Sequence, residues 1–347
     1  MKETPLTPLH RRLGAGMVNE YGWKMPQQYT DLIQEHMSTR SACGVFDISN
    51  LGKFRVTGNG AQECLENILS NRIADCCDGH TQQTLLLSTR GVILDRITLC
   101  RESAGRFFII GSASQADADF ESLRRSVRQG GLELQNETDS LCAIALVGPE
   151  AGKVLSRVHF AAEFPAKGEF CSFRRGGQRC ILTRAGLVNN DSIELFCPAA
   201  AGIGWFEQLI AAGAVPCGLR TREYLRLEQG RTDIKKDAAG RTPAVAGLEH
   251  LCATSKGAQH SAPPDANAGR LVSLHCSTPG QNISPGDRVH DRYGRTIGNI
   301  TSSATSPANG HSYAIAYVNA EHSSPGTSLW VQNGDTSVPA QVKALSQ

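Results

Sequence analysis

Apolar and polar residues change period along the chain, and each change marks an element. Residues 4–28 mix Met17, Tyr21, Trp23 and Met25 with Pro and Gly and keep neither period, which reads as an irregular lead-in packed over another surface. A helix is predicted from Asp31 to Cys43: Asp31 caps it, Gln34 lies three residues on, and Gly44 ends it. Short strands follow at Val45–Ser49 and Gly52–Thr57, and Ala61, Cys64, Leu65, Ile68 and Leu69 then fall on one helical face. Strands are expected at Thr84–Ser88, Val92–Leu99 and Arg106–Gly111, followed by a helix with Ala116, Phe120, Leu123 and Val127 on one side. Ala143–Val147 reads as a strand that enters Gly148-Pro149-Glu150, with Pro149 at a first helical position and Val154, Leu155 and Val158 inward. Further strands are expected around Glu169–Arg174, Arg179–Arg184 and Ser192–Phe196, and helices at Trp205–Ala211 and Arg222–Leu227.

The pattern changes near residue 255. Residues 255–268 are rich in Ser, Gly, Ala and Pro without apolar periodicity, which marks a linker. Beyond it lie only short alternating stretches: Leu271–His275, Arg288–His290, Thr296–Thr301, Ser312–Val318 and Ser328–Gln332, with Arg292-Tyr293-Gly294 as a hairpin tip. That spacing predicts a small β-barrel or sandwich.

One stretch concentrates the chemistry. In T-R-G-V-I-L-D-R-I-T-L, residues 89–99, glycine and three apolar residues run into a single carboxylate, Asp95. A carboxylate among Leu94 and Ile97 is costly to desolvate and needs either a hydrogen-bonding partner or a catalytic task.

Composition narrows the function classes. Lys plus Arg number 35 and Asp plus Glu 33, so no bulk field attracts nucleic acid or an acidic membrane. The most basic run, Arg124-Arg125-Ser126-Val127-Arg128, reads as a solvated helix face. The 12 cysteines show no C-x-x-C pair and no zinc spacing; Cys64, Cys142 and Cys180 read as small core residues of a reducing compartment. The ten histidines show no ligand spacing, no metal is expected, and no G-x-S-x-G turn is present. Met1 is followed by Lys-Glu-Thr-Pro with no apolar core, so a cytoplasmic protein is expected.

The order of motifs resembles the glycine cleavage T-protein (aminomethyltransferase) family. The resemblance rests on T-P-L-H-R-R-L-G-A-G-M-V-N-E-Y-G-W-K-M-P, R-S-A-C-G-V-F-D-I-S-N-L-G-K, G-V-I-L-D, G-L-R-T-R-E-Y-L-R-L-E-Q-G at 218–230, T-P-A-V-A-G-L at 242–248, I-G-N-I-T-S-S-A-T-S-P, A-I-A-Y-V and G-T-S-L-W-V. It implies an α+β fold: an interleaved folate-binding body over 1–255, a linker at 256–269 and a C-terminal β-barrel at 270–347, in a three-lobed ring around a central channel. It implies transfer of an aminomethyl carbon from the lipoyl arm of the H-protein to tetrahydrofolate with release of ammonia. No metal, nucleic acid or membrane enters that reaction.

Residue by residue, the resemblance implies Asp95 as the catalytic carboxylate, with Leu94 where the family has a first Asp and Arg90 where it has a first Gly. Glu194 in S-I-E-L matches the pterin-binding Glu, and Arg222 in R-T-R-E the Arg of a helix start near the site. Leu51 is placed with the cofactor-binding positions. At four others this chain departs from the family: Gln83, Leu99 and Leu187 replace Tyr, and Gly111 replaces Asn. Each departure removes a stacking or hydrogen-bonding group worth roughly 1 kcal/mol of ligand binding. Two readings therefore stand beside the aminomethyltransferase: a folate-dependent methyltransferase or demethylase on another one-carbon donor, and a non-catalytic folate-binding paralogue. Iron–sulfur assembly relatives carry a K-G-C-Y-type motif; here Ala258 stands in Ser255-Lys256-Gly257-Ala258-Gln259 where their Cys would be.

Overall fold

Asp31 caps its helix as expected: the carboxylate accepts from the Gln34 N–H at 2.9 Å, and the helix runs over Leu32–Ser41. The computed structural model describes residues 1–128, 131–158, 164–253 and 269–346. The linker expected at 256–269 lies, apart from Gly269, outside the described residues. The chain divides into two compact units, residues 1–84 with 96–222 and residues 85–95 with 223–347.

The first unit contains a six-stranded sheet in the order Phe170–Arg175, Gln178–Thr183, Ile193–Pro198, Leu141–Val147, Gly44–Asp47, Val215–Pro216. One face of it is sealed by the helices Ala151–Arg157 and Gly202–Ala211. Leu155, Trp205, Phe206 and Leu209 pack there with Ile144, Leu146 and Leu195, and Cys142, Cys180 and Cys197 fill small gaps. All 12 cysteines are free thiols. A second sheet has the order Thr81–Leu87, Ile93–Ser103, Arg106–Gly111, Gly52–Thr57, Glu133–Asn136. The helix Ala116–Val127 buries Leu123 and Val127, and its Phe120 ring lies 5.8 Å from that of Phe54.

Three expectations are corrected here. The lead-in is not irregular: Gly16–Glu20 and Trp23–Gln28 form a hairpin, joined by Lys2–Glu3. Its turn is Tyr21-Gly22 with φ of 50° and 85°, the left-handed pair that matches strand twist. Pro26 and the flanking glycines hid the alternation. Pro149 does not start a helix, which begins at Ala151. Gly148 and Glu150 are instead tied to the end of the Leu32–Ser41 helix: the Glu150 N–H donates to the Ala42 carbonyl at 2.9 Å, and a Cβ on Gly148 would lie 2.5 Å from that oxygen. Arg222 is not at a helix start but is the fourth residue of Leu219–Glu228.

The second unit holds a closed six-stranded barrel in the order Arg270–Cys276, Ser312–Val318, Thr296–Thr305, Arg288–His290, Ser328–Asn333, Thr336–Lys343. Alternate residues such as Leu274, Val289, Ile300, Ala316, Val331 and Val342 fill its interior. The last strand was not anticipated because Pro339 interrupts it. Pro339 is tolerated because Arg270–Cys276 pairs with this strand only at Gln341, Val342 and Lys343. Leu85 and Ile93 join this unit's second cluster, with Ile234, Ala246 and Leu248.

Candidate active site

Glu194 lies in the middle of the six-stranded sheet and is fully buried. It does not face solvent; it anchors the loop that follows Gln178–Thr183. Its Oε1 accepts from the Leu187 N–H at 2.8 Å and from the Ser192 hydroxyl. Its Oε2 accepts from the Thr183 hydroxyl at 2.7 Å and the Ala185 N–H at 3.3 Å. A carboxylate offers about four lone-pair sites, and all four are engaged. Burial pushes the carboxyl above its ordinary range, while the four donors pull the other way. Gln83 joins the same loop, its amide donating to the Ala185 carbonyl at 3.3 Å. The structure thus brings Gln83, Leu187 and Glu194 together through Ala185.

A second group forms where the chain enters the other sheet. Gly52 pairs in register with Gly111, and Leu99 with Ile109, so Gly111 lies on the strand between that of Leu99 and the one that Leu51 precedes. The turn before Gly52 is held from every side. Asp47 accepts from the Ser49 N–H at 2.8 Å, from the Thr4 hydroxyl at 2.6 Å and shares a 2.9 Å hydrogen bond with His10 Nε2. Burial works to raise the Asp47 carboxyl, and His10, Ser49 and Thr4 hold it below its ordinary value. The Tyr29 hydroxyl lies 2.7 Å from His10 Nδ1. Lys53, fully buried, donates from Nζ to the carbonyls of Ser49 at 2.7 Å and Leu51 at 3.1 Å. Between those two carbonyls stands Asn50, 1% exposed, whose Oδ1 and Nδ2 have no hydrogen-bond partner among the described residues. An amide left so costs roughly 1–3 kcal/mol. Neither Asn50 nor Lys53 was singled out from sequence. In G-K-F-R-V-T the alternation puts Lys53 on the polar face, and nothing in it signals that both faces are covered.

Asp95 belongs to the second unit and is fully buried. The stretch before it is a tight turn: the Ser88 N–H donates to Val92 O and the Gly91 N–H to Ser88 O, both at 2.9 Å, with Gly91 at φ 73°. Burial alternates along the strand, so Ile93, Asp95 and Ile97 share the inward face while Leu94 and Arg96 are half-buried. Sequence proximity pointed to Leu94; the face neighbours are Ile93 and Ile97. Arg222, half-buried, is the last residue of the first unit. Glu223, which follows Arg222, takes Arg226 at 2.6 Å and Lys236 at 3.1 Å. Burial opposes its ionisation, but those two cations hold its carboxyl down at about 2.

Residues 6–256 match the GCVT N-terminal domain, and residues 270–346 the glycine cleavage T-protein C-terminal barrel domain. The chain belongs to the glycine cleavage T-protein family. An aminomethyltransferase of Chlorobium chlorochromatii is 33% identical, over 96% of this chain and 94% of its own. One from Saccharopolyspora erythraea is 31% identical over 99% of this chain and 97% of its own. The crystal structure of glycine cleavage system aminomethyltransferase T from Bartonella henselae superposes with a TM-score of 0.88 at 26% identity, covering 99% of this chain and 97% of that one. As a T-protein family member the chain is a transferase of mixed α and β structure with the family's barrel. Among its described residues no helix is long and apolar enough to cross a membrane.

The chemistry of the residues present fits a folate. Two of the four donors on Glu194 are hydroxyls free to rotate, so the carboxylate can exchange them for ligand N–H groups while Leu187 and Ala185 keep it in place. The orphaned amide of Asn50 supplies an acceptor and two donors beside Leu51.

Proposed function

We propose that the protein is a tetrahydrofolate-dependent aminomethyltransferase of the glycine cleavage system. It takes the aminomethyl carbon from the lipoyl arm of the H-protein and releases ammonia. The observation that carries this reading is the likeness to aminomethyltransferases along 96% of the chain, through both domains. Within it, residues 1–255 form the folate-binding body and 270–347 the barrel.

Tetrahydrofolate supplies the nitrogens that receive the carbon. The chain's own residues do the rest. The Asp95 carboxylate, set between Ile93 and Ile97, holds and moves a proton at the reacting centre, as a positioned acid–base group in an apolar setting does. Glu194 accepts paired N–H bonds from the aminopyrimidine edge, which is how a buried carboxylate recognises such an edge. Arg222 supplies a positive charge to the ligand. Leu51, Gln83, Leu99, Gly111 and Leu187 shape the pocket with fewer polar groups than the family has at those positions.

Titration of the purified protein with tetrahydrofolate, followed by ammonia release from aminomethylated H-protein, tests the reading. Saturable binding with ammonia release is expected. Binding without release from that donor transfers the site to a methyltransferase or demethylase of another one-carbon donor, or to a non-catalytic folate-binding paralogue. No binding at millimolar tetrahydrofolate leaves a paralogue without folate chemistry.

A further inference from the structure

The turn at Ser49–Leu51 is fixed more heavily than its length explains. Asp47 fixes its first N–H, and the Ser49 hydroxyl donates to the Ala143 carbonyl at 3.2 Å and accepts from the Ala143 N–H at 3.0 Å. The Leu51 N–H returns to the Ile48 carbonyl at 3.2 Å. Lys53 clamps the carbonyls on both sides of Asn50. On the far side Gly52 is locked by contact: a Cβ there would lie 2.8 Å from the Phe54 ring and 3.1 Å from Ala116. A buried cation and a buried carboxylate are therefore both committed to the backbone around one residue. That residue's own side chain, 1% exposed, bonds to nothing among the described residues.

A buried amide with neither atom paired calls for a bound partner. Rigid backbone around an unsatisfied polar group is how binding sites are preorganised, because the ordering cost is met before the ligand arrives. The same framework reaches Glu194: Ala145 sits in register with Glu194 on one side and Phe46 on the other, and the chain turns from Phe46 through Asp47 to Asn50. Asn50 thus lies three residues beyond a strand of the sheet that holds Glu194.

We propose that Asn50 is a specificity-determining contact of the folate site, its amide reading a donor and an acceptor set side by side on the ligand's heterocycle. This rests on the folate reading of the site. Lys53 and Asp47 are positioning residues for it and touch no ligand. The reading also assigns a reason to Asn at this place: Leu has the same branched four-atom side chain, though bulkier, would bury without an orphaned amide, and has no hydrogen bond to give.

The test compares wild type with Asn50→Leu and Asn50→Ala, reading tetrahydrofolate affinity by calorimetry and the melting temperature of the ligand-free protein. Asn50→Leu is expected to weaken tetrahydrofolate at least tenfold while the ligand-free melting temperature stays within a few degrees of wild type, because loss of the orphaned amide offsets the strain of the bulkier side chain. Asn50→Ala is expected to weaken binding to a similar degree. Affinity within twofold of wild type in both variants overturns the proposal and leaves the folate reading standing, with a trapped water as the amide's partner. Loss of stability in step with affinity, or failure of both variants to fold, assigns Asn50 a structural role and also overturns it. A wild-type protein that does not bind tetrahydrofolate removes the folate reading and this inference together, and the wild-type titration alone decides that.

Discussion

Replacing Glu194 by Gln keeps the shape of the side chain and changes one thing: an NH2 must stand where one oxygen stood. Both oxygens face a backbone N–H that cannot turn away, Leu187 at 2.8 Å and Ala185 at 3.3 Å. The amide nitrogen takes the longer contact, at Oε2, because donor against donor is less repulsive there. Thr183 turns its hydroxyl to accept, Leu187 and Ser192 keep an oxygen, and the half-buried Ala185 N–H is left without its acceptor. That orphan costs about 1–3 kcal/mol, and the remaining bonds lose their charge assistance. Against this, the variant no longer buries a charge, a cost already visible in the raised carboxyl of the wild type. The net expectation is a loss of about 1–2 kcal/mol, or a melting temperature lower by about 3–6 °C for a unit of this size. Thermal melts near pH 7 measure it. Amide hydrogen exchange over 183–195 locates it: Ala185 should exchange faster and Leu187 much less so. Unchanged melting together with unchanged exchange across the loop would refute the view of Glu194 as its anchor. Faster exchange at Leu187 than at Ala185 would refute the placement of the amide nitrogen at the Oε2 position. Glu194→Ala strands both backbone donors, Leu187 and Ala185, and should cost more than the Gln variant, about 2–5 kcal/mol.

Three further outcomes are expected. Burial pushes Lys53 down to about 8, while in the unfolded chain it titrates near its ordinary ~10.4. Between those values the unfolded chain holds the extra proton, so this lysine's contribution to stability rises with pH across the window, by up to about 3 kcal/mol, and is flat below it. Urea titrations of wild type and Lys53→Met from pH 7 to 10 should show their difference moving in favour of wild type above pH ~8; a flat or falling difference excludes it. Asp237 accepts from Arg226 and the Asp233 N–H on one oxygen and from Thr301 and Ser302 on the other, tying residues 226–237 to the barrel strand Thr296–Thr305. Asp237→Asn should therefore lower the unfolding free energy by about 2–4 kcal/mol in urea, and an unchanged midpoint would discount the network. Asp95→Asn should reduce methylenetetrahydrofolate formation at least ~10²-fold while tetrahydrofolate affinity, measured on the same sample, changes little; undiminished turnover removes Asp95 from the chemistry.

Elements whose period is local are legible in the chain alone. Gly52–Thr57, Arg106–Gly111, Arg288–His290 and Ser312–Val318 were legible to the residue, and the Asp31 cap was too, because a strand alternates and a cap bonds within four residues. Motif order along the whole chain determined the family, and with it the candidacy of Asp95, Glu194 and Arg222. The hairpin at 16–28 and the polar edge strand Glu133–Asn136 escaped, since neither has the apolar alternation that half-burial imposes. What only tertiary structure decided is which polar groups are removed from water and who satisfies them. Lys53 lies on the polar face of its own strand, yet is buried because other elements cover that face. Asp237 finds Thr301 and Ser302 more than sixty residues away. Asp95 and Glu194, matched alike from sequence, are placed in different compact units. Periodicity reports what each side chain would prefer from its own backbone. Burial and pairing depend on segments brought in from far along the chain, so the isolated amide of Asn50 between two clamped carbonyls could be read only from the folded structure.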